Sequence, residues 1–597
     1  MKRIANIRPP RHGMALIVVV VLVMLITLAA YRFSFYMESQ HRLVKLRAEQ
    51  KDAQNIAWSG LEYAASLLER SSAERAASGG MFHNANLFQH RSLSNDEVSR
   101  DPRDPRTWYF SIVSSAVSSQ SNQEGSAVYT FGLINETAKI SISTLRDWDR
   151  LQPGLAKRFL LSLPQANESE VDAWLMENAF SITVNSTSRS TERKPNDATV
   201  DLSGWWLGGD WNQNYRIDPI EQNLMSASTD PSSIASTNDT QAILGTRALQ
   251  DYVTTKSGVR NETMLGESRI FLNDPNLTNL HSTLMQKWPA DWVKYVIAVR
   301  QYGIQASATQ PVNNGTPSAP ASLPSASTNT VAPSLTRRLD TPPPVPTTGP
   351  PQQPSPAQST STSTSTSQTI GPAPPSPTSG LTSSNSSTVI SLDSWTPDLS
   401  RPPIYMLRSV LDLAGTQVEI PAVSSASGTP ASTNPGKQIL RSPFSDDSVG
   451  MRNYVERLLD EATTSTQSFF EGRVDVSEAT LPVLMAVPGM DLTLAQKLVE
   501  QRANATATSN RSVSIAWLLD GNLVTIDRLR LLEPYLTSRS DVYTLQVIGY
   551  RDSKSPVHRC TALLDGRSFP TRIERYQVWH PWDRGFDLDR LSNTVTP

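Results

Sequence analysis

The sequence predicts an α+β protein that begins with a membrane-spanning helix and contains a long disordered linker. Three observations lead to this prediction. Residues 14–31 carry no charge, residues 139–142 and 542–547 alternate apolar and polar side chains as half-buried strands do, and residues 306–391 are rich in Ser, Thr and Pro. The chain therefore combines one apolar helix, short strands with helical stretches between them, and a linker.

The first thirteen residues and the apolar run that follows predict a membrane anchor. Residues 1–13 are basic and contain no acidic residue. As a helix, the apolar run would span about 27 Å, close to the hydrocarbon thickness of a bilayer. The basic leader favours a cytoplasmic N-terminus, although Arg42, Lys45 and Arg47 beyond the run weaken that assignment.

The segment after the apolar run predicts an amphipathic helix that continues it. Helix-forming residues dominate, and no Pro or Gly interrupts the segment before Gly60. Residues 14–71 are therefore predicted to form a transmembrane and amphipathic stalk helix. Its apolar residues recur at steps of three, four or seven, the spacing of one helical face: Leu43, Leu46, Ala53, Ala57, Leu61, Ala64 and Leu68.

The Ser/Thr/Pro-rich segment divides the remainder of the chain. Residues 305–395 contain few large apolar side chains, so they cannot bury enough surface to offset the entropy of ordering the chain. We expect this linker to separate a folded α/β part, residues 100–304, from a helical part, residues 396–540. Residues 541–585 are predicted to form a C-terminal β-ribbon.

Two strand–turn–helix segments of similar sequence suggest an internal repeat. Residues 131–143 and 472–477 each contain a basic residue and an alternating strand, and each is followed by an L-x-x-(L/V)-P segment before a helix. Chance similarity of two such common units is the alternative explanation.

Composition excludes several classes of protein. The 597 residues include 54 Lys and Arg against 56 Asp and Glu, a balance that argues against a protein that coats nucleic acid. Cys560 is the single cysteine, which excludes an intramolecular disulfide and a cysteine-based zinc site. The seven histidines show no metal-binding spacing, and the common nucleophile and phosphate-loop motifs do not occur in the sequence. We therefore expect no enzymatic activity.

Residues 210–221 match the spacing of a twelve-residue calcium-binding loop. Oxygen-bearing side chains fall at positions one, three, five, nine and twelve, and position seven would contribute its backbone carbonyl. Tyr215 stands where a glycine normally makes the sharp turn, and a polar loop without an ion is the alternative. The predicted Ca²⁺ ligands are Asp210, Asn212, Asn214, Arg216, Asp218 and Glu221.

The N-terminus resembles a type IV prepilin leader. A basic leader, Gly13 and an apolar run that begins Met-Ala-Leu-Ile are the features of that family. The resemblance implies that a peptidase cuts between Gly13 and Met14 and that the new N-terminal residue is methylated. Most members have Glu at mature position five, where this chain has Val18. The K-type minor pseudopilins of type II secretion systems lack that Glu. An uncleaved signal anchor is the alternative.

Residues 472–502 resemble the helix-hairpin-helix segment that occurs in K-type minor pseudopilins and in competence DNA receptors. The segment reads GRVDVSEATLPVLMAVPGMDLTLAQKLVEQR. FGLINETAKISIS, residues 131–143, resembles the strand that precedes the inserted helical domain of the K-type protein. With the leader and the missing Glu, the resemblance to the K-type family covers most of the chain outside the linker.

The resemblance implies a fold and a location. The fold would be a small antiparallel pilin-like sheet with an inserted helical domain that contains a helix-hairpin-helix-like segment. The protein would cross the inner membrane once, with a cytoplasmic N-terminus and most of its chain in the periplasm. The family also binds calcium.

The implied function is that of a minor pseudopilin at the tip of the type II secretion pseudopilus, where it helps to initiate assembly and protein export across the outer membrane. Expected partners are the I- and J-type minor pseudopilins, the major pseudopilin and the prepilin peptidase. A membrane-anchored competence-type DNA receptor is the alternative. Asp491 in the hairpin would repel phosphate, and Lys497 and Arg502 are the nearby cations, so nucleic acid is not an expected partner.

Overall fold

The computed structural model shows a mixed structure of helices and sheets with one long apolar helix at its N-terminus. The described residues belong to one unit, which joins Met1–Ser307 to Ser387–Pro597. They are residues 12–92, 107–115, 129–163, 166–178, 180, 249–306, 388–421, 437–504, 514–552, 555–579, 585–586 and 591–592.

Helix α1 (His12–Leu68) contains 57 residues and has two different parts. From Leu16 to Leu46 its large apolar side chains are 47–70% exposed. Its last five turns are buried along one face, where Ala53, Ala57, Leu61, Ala64 and Leu68 are fully covered. Among the described residues, α1 is the one helix whose length and composition suffice to cross a membrane, which suits either an anchor or a signal sequence.

The other helices are short, and several begin with a side-chain cap. Ser71, for example, accepts the N–H of Glu74, whose carboxylate accepts the N–H of Ser71 in return. In chain order the described helices are α2 (Ser72–Ala77), α3 (Ala85–Phe88), α4 (Ile142–Leu151), α5 (Leu155–Leu161), α6 (Glu168–Glu177), α7 (Leu277–Lys287), α8 (Ala290–Tyr302), α9 (Ser448–Met451), α10 (Val455–Glu461), α11 (Leu481–Ala486), α12 (Leu492–Asn504) and α13 (Ile526–Leu532).

The strands are mostly short, and the longest are near the C-terminus. In chain order they are β1 (Arg91–Ser92), β2 (Tyr109–Ser115), β3 (Tyr129–Phe131), β4 (Ile134–Asn135), β5 (Ile140–Ser141), β6 (Val253–Thr254), β7 (Val259–Arg260), β8 (Ile270–Phe271), β9 (Gln305–Ala306), β10 (Thr388–Ile390), β11 (Thr416–Pro421), β12 (Lys437–Arg441), β13 (Ala462–Thr463), β14 (Phe469–Phe470), β15 (Val474–Asp475), β16 (Leu536–Thr537), β17 (Val542–Tyr550), β18 (His558–Asp565) and β19 (Arg572–Trp579).

The largest sheet has seven antiparallel strands and covers the end of α1. Its order is β1-β2-β17-β18-β19, with β3 beside β2 and β4 beside β17. Alternate residues of β17, Tyr543, Leu545 and Val547, share a core with α1. The predicted C-terminal ribbon, residues 541–585, is part of this larger sheet, since β17 also pairs with β2 and β4. These pairings satisfy the backbone hydrogen-bonding groups on the second edge of β17.

Most of the described helices lie between β4 and β17 in the sequence, and they share one core. We call this larger segment the helical part of the structure. This core contains Val296 from before the predicted linker and Leu411 from after it, so the two predicted parts, residues 100–304 and 396–540, fold together. Both ends of the predicted linker also carry structure, since β9 and β10 belong to one four-stranded sheet and Trp395 is buried. The prediction of the linker rests on the average composition of residues 305–395. This average hides the structure at its two ends, where β9, β10 and Trp395 join the folded part of the chain.

Three short parallel strand pairs each join the start and end of a helical segment. The pairs are β5 with β6, β8 with β13, and β15 with β16, and we name the segments they close the first, second and third modules. In each module the second strand ends in a threonine whose Oγ1 accepts the N–H two residues later: Thr254, Thr463 and Thr537. The two segments predicted as a repeat open the first and third modules, and the second module is a further unit.

Candidate functional site

The exposed part of α1 is the feature of the molecule that most requires a partner. Leu16–Tyr31 presents large apolar side chains around the helix, and isolated apolar helices of this length are stable in a bilayer or against other helices rather than in water. Gly13 and Met14 lie in the first turn of this helix. Val18, the fifth residue after the predicted cleavage site, is 60% exposed.

The seven-stranded sheet holds the end of α1 by a close approach of two backbones. Gly549 of β17 lies beneath α1, where a Cβ atom would stand 2.3 Å from the carbonyl oxygen of Ala53 and 2.9 Å from the N atom of Ala57. A Cβ atom on Gly60 of α1 would lie within 2.9 Å of side-chain atoms of Phe110 and Val547. The contact between helix and sheet therefore depends on two positions without a side chain.

A buried ionic cluster joins three parts of the chain next to the end of α1. Asp541, directly before β17, accepts a hydrogen bond of 2.6 Å from Arg75 of α2 and one of 2.8 Å from the backbone N–H of Arg260 in β7. Arg75 and Asp541 are 6% and 2% exposed. Burial alone would raise the pKa of Asp541, but Arg75 and Arg260 together hold this pKa below its usual value. We call these three residues the Asp541 cluster.

A second buried carboxylate connects the large sheet to the third module. Asp475 of β15 accepts a hydrogen bond of 2.8 Å from the side-chain amide of Asn135 in β4 and another of 2.8 Å from the N–H of Ser477. Burial raises the pKa of Asp475, and these two donors oppose that effect. The large sheet and the third module are thus joined through polar contacts.

Helices α11 and α12 form the hairpin that the sequence predicts within residues 472–502. Gly489 in the turn has φ 83°, a left-handed conformation suited to glycine. Asp491 caps α12 by accepting the N–H of Leu494 at 2.8 Å, and its other oxygen pairs with Arg528 at 3.1 Å. Arg502 donates to the carbonyl of Val476 at 3.1 Å. Of the two cations named from the sequence, Lys497 is exposed and Arg502 is engaged, and Arg528 is a third cation at the hairpin, held by Asp491.

The predicted calcium loop, Asp210 to Glu221, lies outside the described residues. Within the described ranges, no cluster of three or more His, Cys, Asp or Glu side chains could hold a metal ion. The Asp541 cluster, in contrast, is not foreseeable from the sequence. Arg75 and Asp541 are 466 residues apart, and no local motif marks either of them.

No protein-family model matches the chain, and comparisons with curated proteins and with solved structures found no match.

Proposed function

We propose that the protein is a minor pseudopilin of the K type, located at the tip of a type II secretion pseudopilus. The observation that carries this proposal is the division of α1: its first part exposes apolar side chains and its last part is fixed to a seven-stranded antiparallel sheet. Such a helix can reside in a bilayer and then exchange lipid for neighbouring helices in a filament, while the head remains folded outside. The role requires no catalytic chemistry.

The arrangement of the head supports the same proposal. The fold that the resemblance implies is a pilin-like sheet with a helical insertion. In this chain, residues 136–541 lie in the sequence between β4 and β17, two strands of one antiparallel sheet. In the proposed role the head would lie in the periplasm and bind the I- and J-type minor pseudopilins. The major pseudopilin would bind below through its own first helix, and the prepilin peptidase would act at the inner membrane.

Val18 supports placement at the tip of the filament. In the pseudopilin family, the carboxylate at mature position five is thought to neutralise the N-terminal amine of the neighbouring subunit. A terminal subunit has no neighbour above it, so an apolar residue at this position costs no such pairing. Val18 also avoids placing a charge within the apolar part of α1.

Processing at Gly13 gives the direct test of the proposal. The native protein should begin at a methylated Met14, and Gly13→Leu should keep all thirteen leader residues and prevent secretion, because the peptidase needs a residue without a side chain before the cut. Mass spectrometry of the N-terminus measures both. Arg8→Gln, which leaves Gly13 in place, is the matched control and should be processed. Native protein that retains its leader would contradict the proposal.

We also propose that residues 210–221 bind Ca²⁺. Calcium chloride should raise the melting temperature of the wild-type protein, since a ligand that binds the folded state stabilises it. The double variant Asp210→Ala/Glu221→Ala should lose this increase, because it removes the first ligand and the closing carboxylate. Magnesium chloride at equal ionic strength is the control. A wild-type protein whose melting temperature does not respond to calcium would remove this assignment.

The competing function, a competence-type DNA receptor, has weaker support. Asp491 and Arg528 pair with each other at the hairpin, and Arg502 is engaged by the carbonyl of Val476, so neither arginine is free for phosphate. A DNA-binding hairpin instead presents backbone N–H groups and free cations to phosphate. Filter binding with duplex DNA at low salt separates the two functions. Submicromolar binding that is lost in Lys497→Ala/Arg502→Ala would favour the receptor.

A further inference from the structure

A cavity between the second and third modules is lined by three arginines. Its volume is about 50 Å³, and it is partly open to solvent. Arg269 directly precedes β8, Arg473 directly precedes β15, and Arg539 follows β16, so the module boundaries bring all three to one place. Ser514 and Glu533 are also part of the lining.

Two of the three arginines have acidic partners. Arg473 forms an ion pair of 3.0 Å with Glu533, and Arg539 forms one of 2.7 Å with Asp460. The side chain of Arg269 has no hydrogen-bond or ion-pair partner among the described residues, and its Nε atom is buried. Three guanidinium groups therefore face two carboxylates, which leaves one positive charge without compensation.

The equivalent position in the first module shows what Arg269 lacks. Lys139 precedes β5 as Arg269 precedes β8, and it forms an ion pair of 2.7 Å with Glu136. Arg473 has Glu533 in the third module. Burial, together with the nearby guanidiniums of Arg539 and Arg473, lowers the pKa of Arg269 to about 9. Arg269 is half-buried and its Nε atom is fully covered without a partner in the described structure, so an anion in the cavity would satisfy a donor that is otherwise unpaired.

We propose that this cavity binds a small oxyanion of the phosphate or sulfate class, with Arg269 as its principal ligand. The planar guanidinium donates parallel hydrogen bonds that match the oxygen atoms of such an anion. Ser514 provides a further donor, because its Oγ accepts the N–H of Ala516 at 3.2 Å and its hydroxyl proton has no acceptor in the part of the chain that the structure describes. The inference does not depend on the pseudopilin proposal, since it rests on the cavity alone.

Phosphate binding to the full-length protein in detergent tests the inference. Sodium phosphate should raise the melting temperature of the wild type in a saturable manner relative to sodium chloride at equal ionic strength. Arg269→Met should abolish this increase, and without phosphate it should melt no lower than the wild type because it removes an uncompensated charge. Isothermal titration calorimetry should show at least a tenfold loss of phosphate affinity, about 1.4 kcal/mol at 25 °C.

Three controls make the result interpretable. Arg150→Met removes an arginine of α4 whose side chain is 72% exposed, and it should keep the full response to phosphate. Ser514→Ala removes one donor and should weaken binding even if Arg269→Met fails to fold. A wild type that responds equally to sodium acetate, or a phosphate response that persists in both Arg269→Met and Ser514→Ala, would overturn the inference. Sulfate should compete with phosphate, and a response to glycerol 3-phosphate would identify an esterified phosphate as a ligand.

Discussion

Asp541→Ala is expected to lower the free energy of unfolding by about 3–5 kcal/mol, because it leaves buried guanidinium groups without their carboxylate. Arg75 donates to Asp541 at 2.6 Å, and Arg260 donates through both its backbone N–H and its side chain. Removal of Asp541 would therefore leave several buried donors unsatisfied at once. Urea unfolding of the full-length protein in detergent, followed by circular dichroism, measures the change.

An exposed acid provides the matched control for this substitution. Asp147 on α4 pairs with Arg150 at 3.0 Å, but both side chains are more than two-thirds exposed. Exposed ion pairs contribute about 0–1 kcal/mol, so Asp147→Ala should leave the stability almost unchanged. If Asp541→Ala and Asp147→Ala changed the free energy of unfolding equally, the Asp541 cluster would not stabilise the contact between α2 and the start of β17.

The pH dependence of this difference follows from the direction of the pKa shift. The pKa of Asp541 is lower in the folded protein than its usual value, so the folded state favours the ionised carboxylate. The stabilisation is therefore complete above the unfolded pKa of about 3.9 and is lost as the pH falls through the lower folded value. The stability difference between wild type and Asp541→Ala should stay constant from neutral pH to about pH 5 and should narrow at more acidic pH.

The parts of the fold that depend on local pattern could be predicted from the sequence. Apolar spacing identifies the buried face of α1 from Ala53 to Leu68, and the alternation in residues 542–547 lies within β17. The resemblance of residues 472–502 to a helix-hairpin-helix segment predicts the hairpin of α11 and α12, and the structure places Pro482 in the first turn of α11 and Gly489 in the connection.

The pairings between distant segments could not be predicted in this way. β17 pairs with β2 and β4 across the whole helical part, and Asp541 meets Arg75 at a similar separation. No local preference encodes such contacts, because they form only when the cores on either side are assembled. The strand of the second module escapes prediction for a local reason: Arg269 precedes Ile-Phe-Leu, which lacks the alternation present at β5 and β15.

The cavity beside Arg269 and the Asp541 cluster show how the same residue type has different consequences in this molecule. Arg75 is buried against a carboxylate that it shares with Arg260, and its pKa is raised. Arg269 lies near Arg473 and Arg539 without an ion pair of its own among the described residues, and burial and these two guanidiniums lower its pKa. The positive charge of Arg75 thus stabilises the junction near α1, whereas the positive charge of Arg269 is the basis of the proposed anion site.

Gly549→Ala is expected to destabilise the protein by about 1–3 kcal/mol, since an added methyl group would overlap the backbone of α1. The nearest atoms include main-chain atoms of Ala53 and Ala57, and a helix backbone cannot turn aside as a flexible side chain can. The end of α1 would have to move away from β17 and expose part of the core that it shares with the sheet. Denaturant unfolding of the full-length variant measures this loss.

Gly60→Ala separates a backbone clash from crowding of the same interface by side chains. The added methyl group would force the buried side chains of Phe110 and Val547 to shift. Alanine favours a helix over glycine by about 1 kcal/mol, which offsets part of that cost. Its net effect should therefore be smaller than that of Gly549→Ala. If the pseudopilin proposal is correct, Gly549→Ala should also reduce secretion more than Gly60→Ala does, because force on the filament helix reaches the head through this contact. A Gly549→Ala protein as stable as the wild type would show that the end of α1 can move away from the sheet without loss of stability. The close contact between α1 and β17, on which the predicted order of the two secretion defects depends, would then not be rigid.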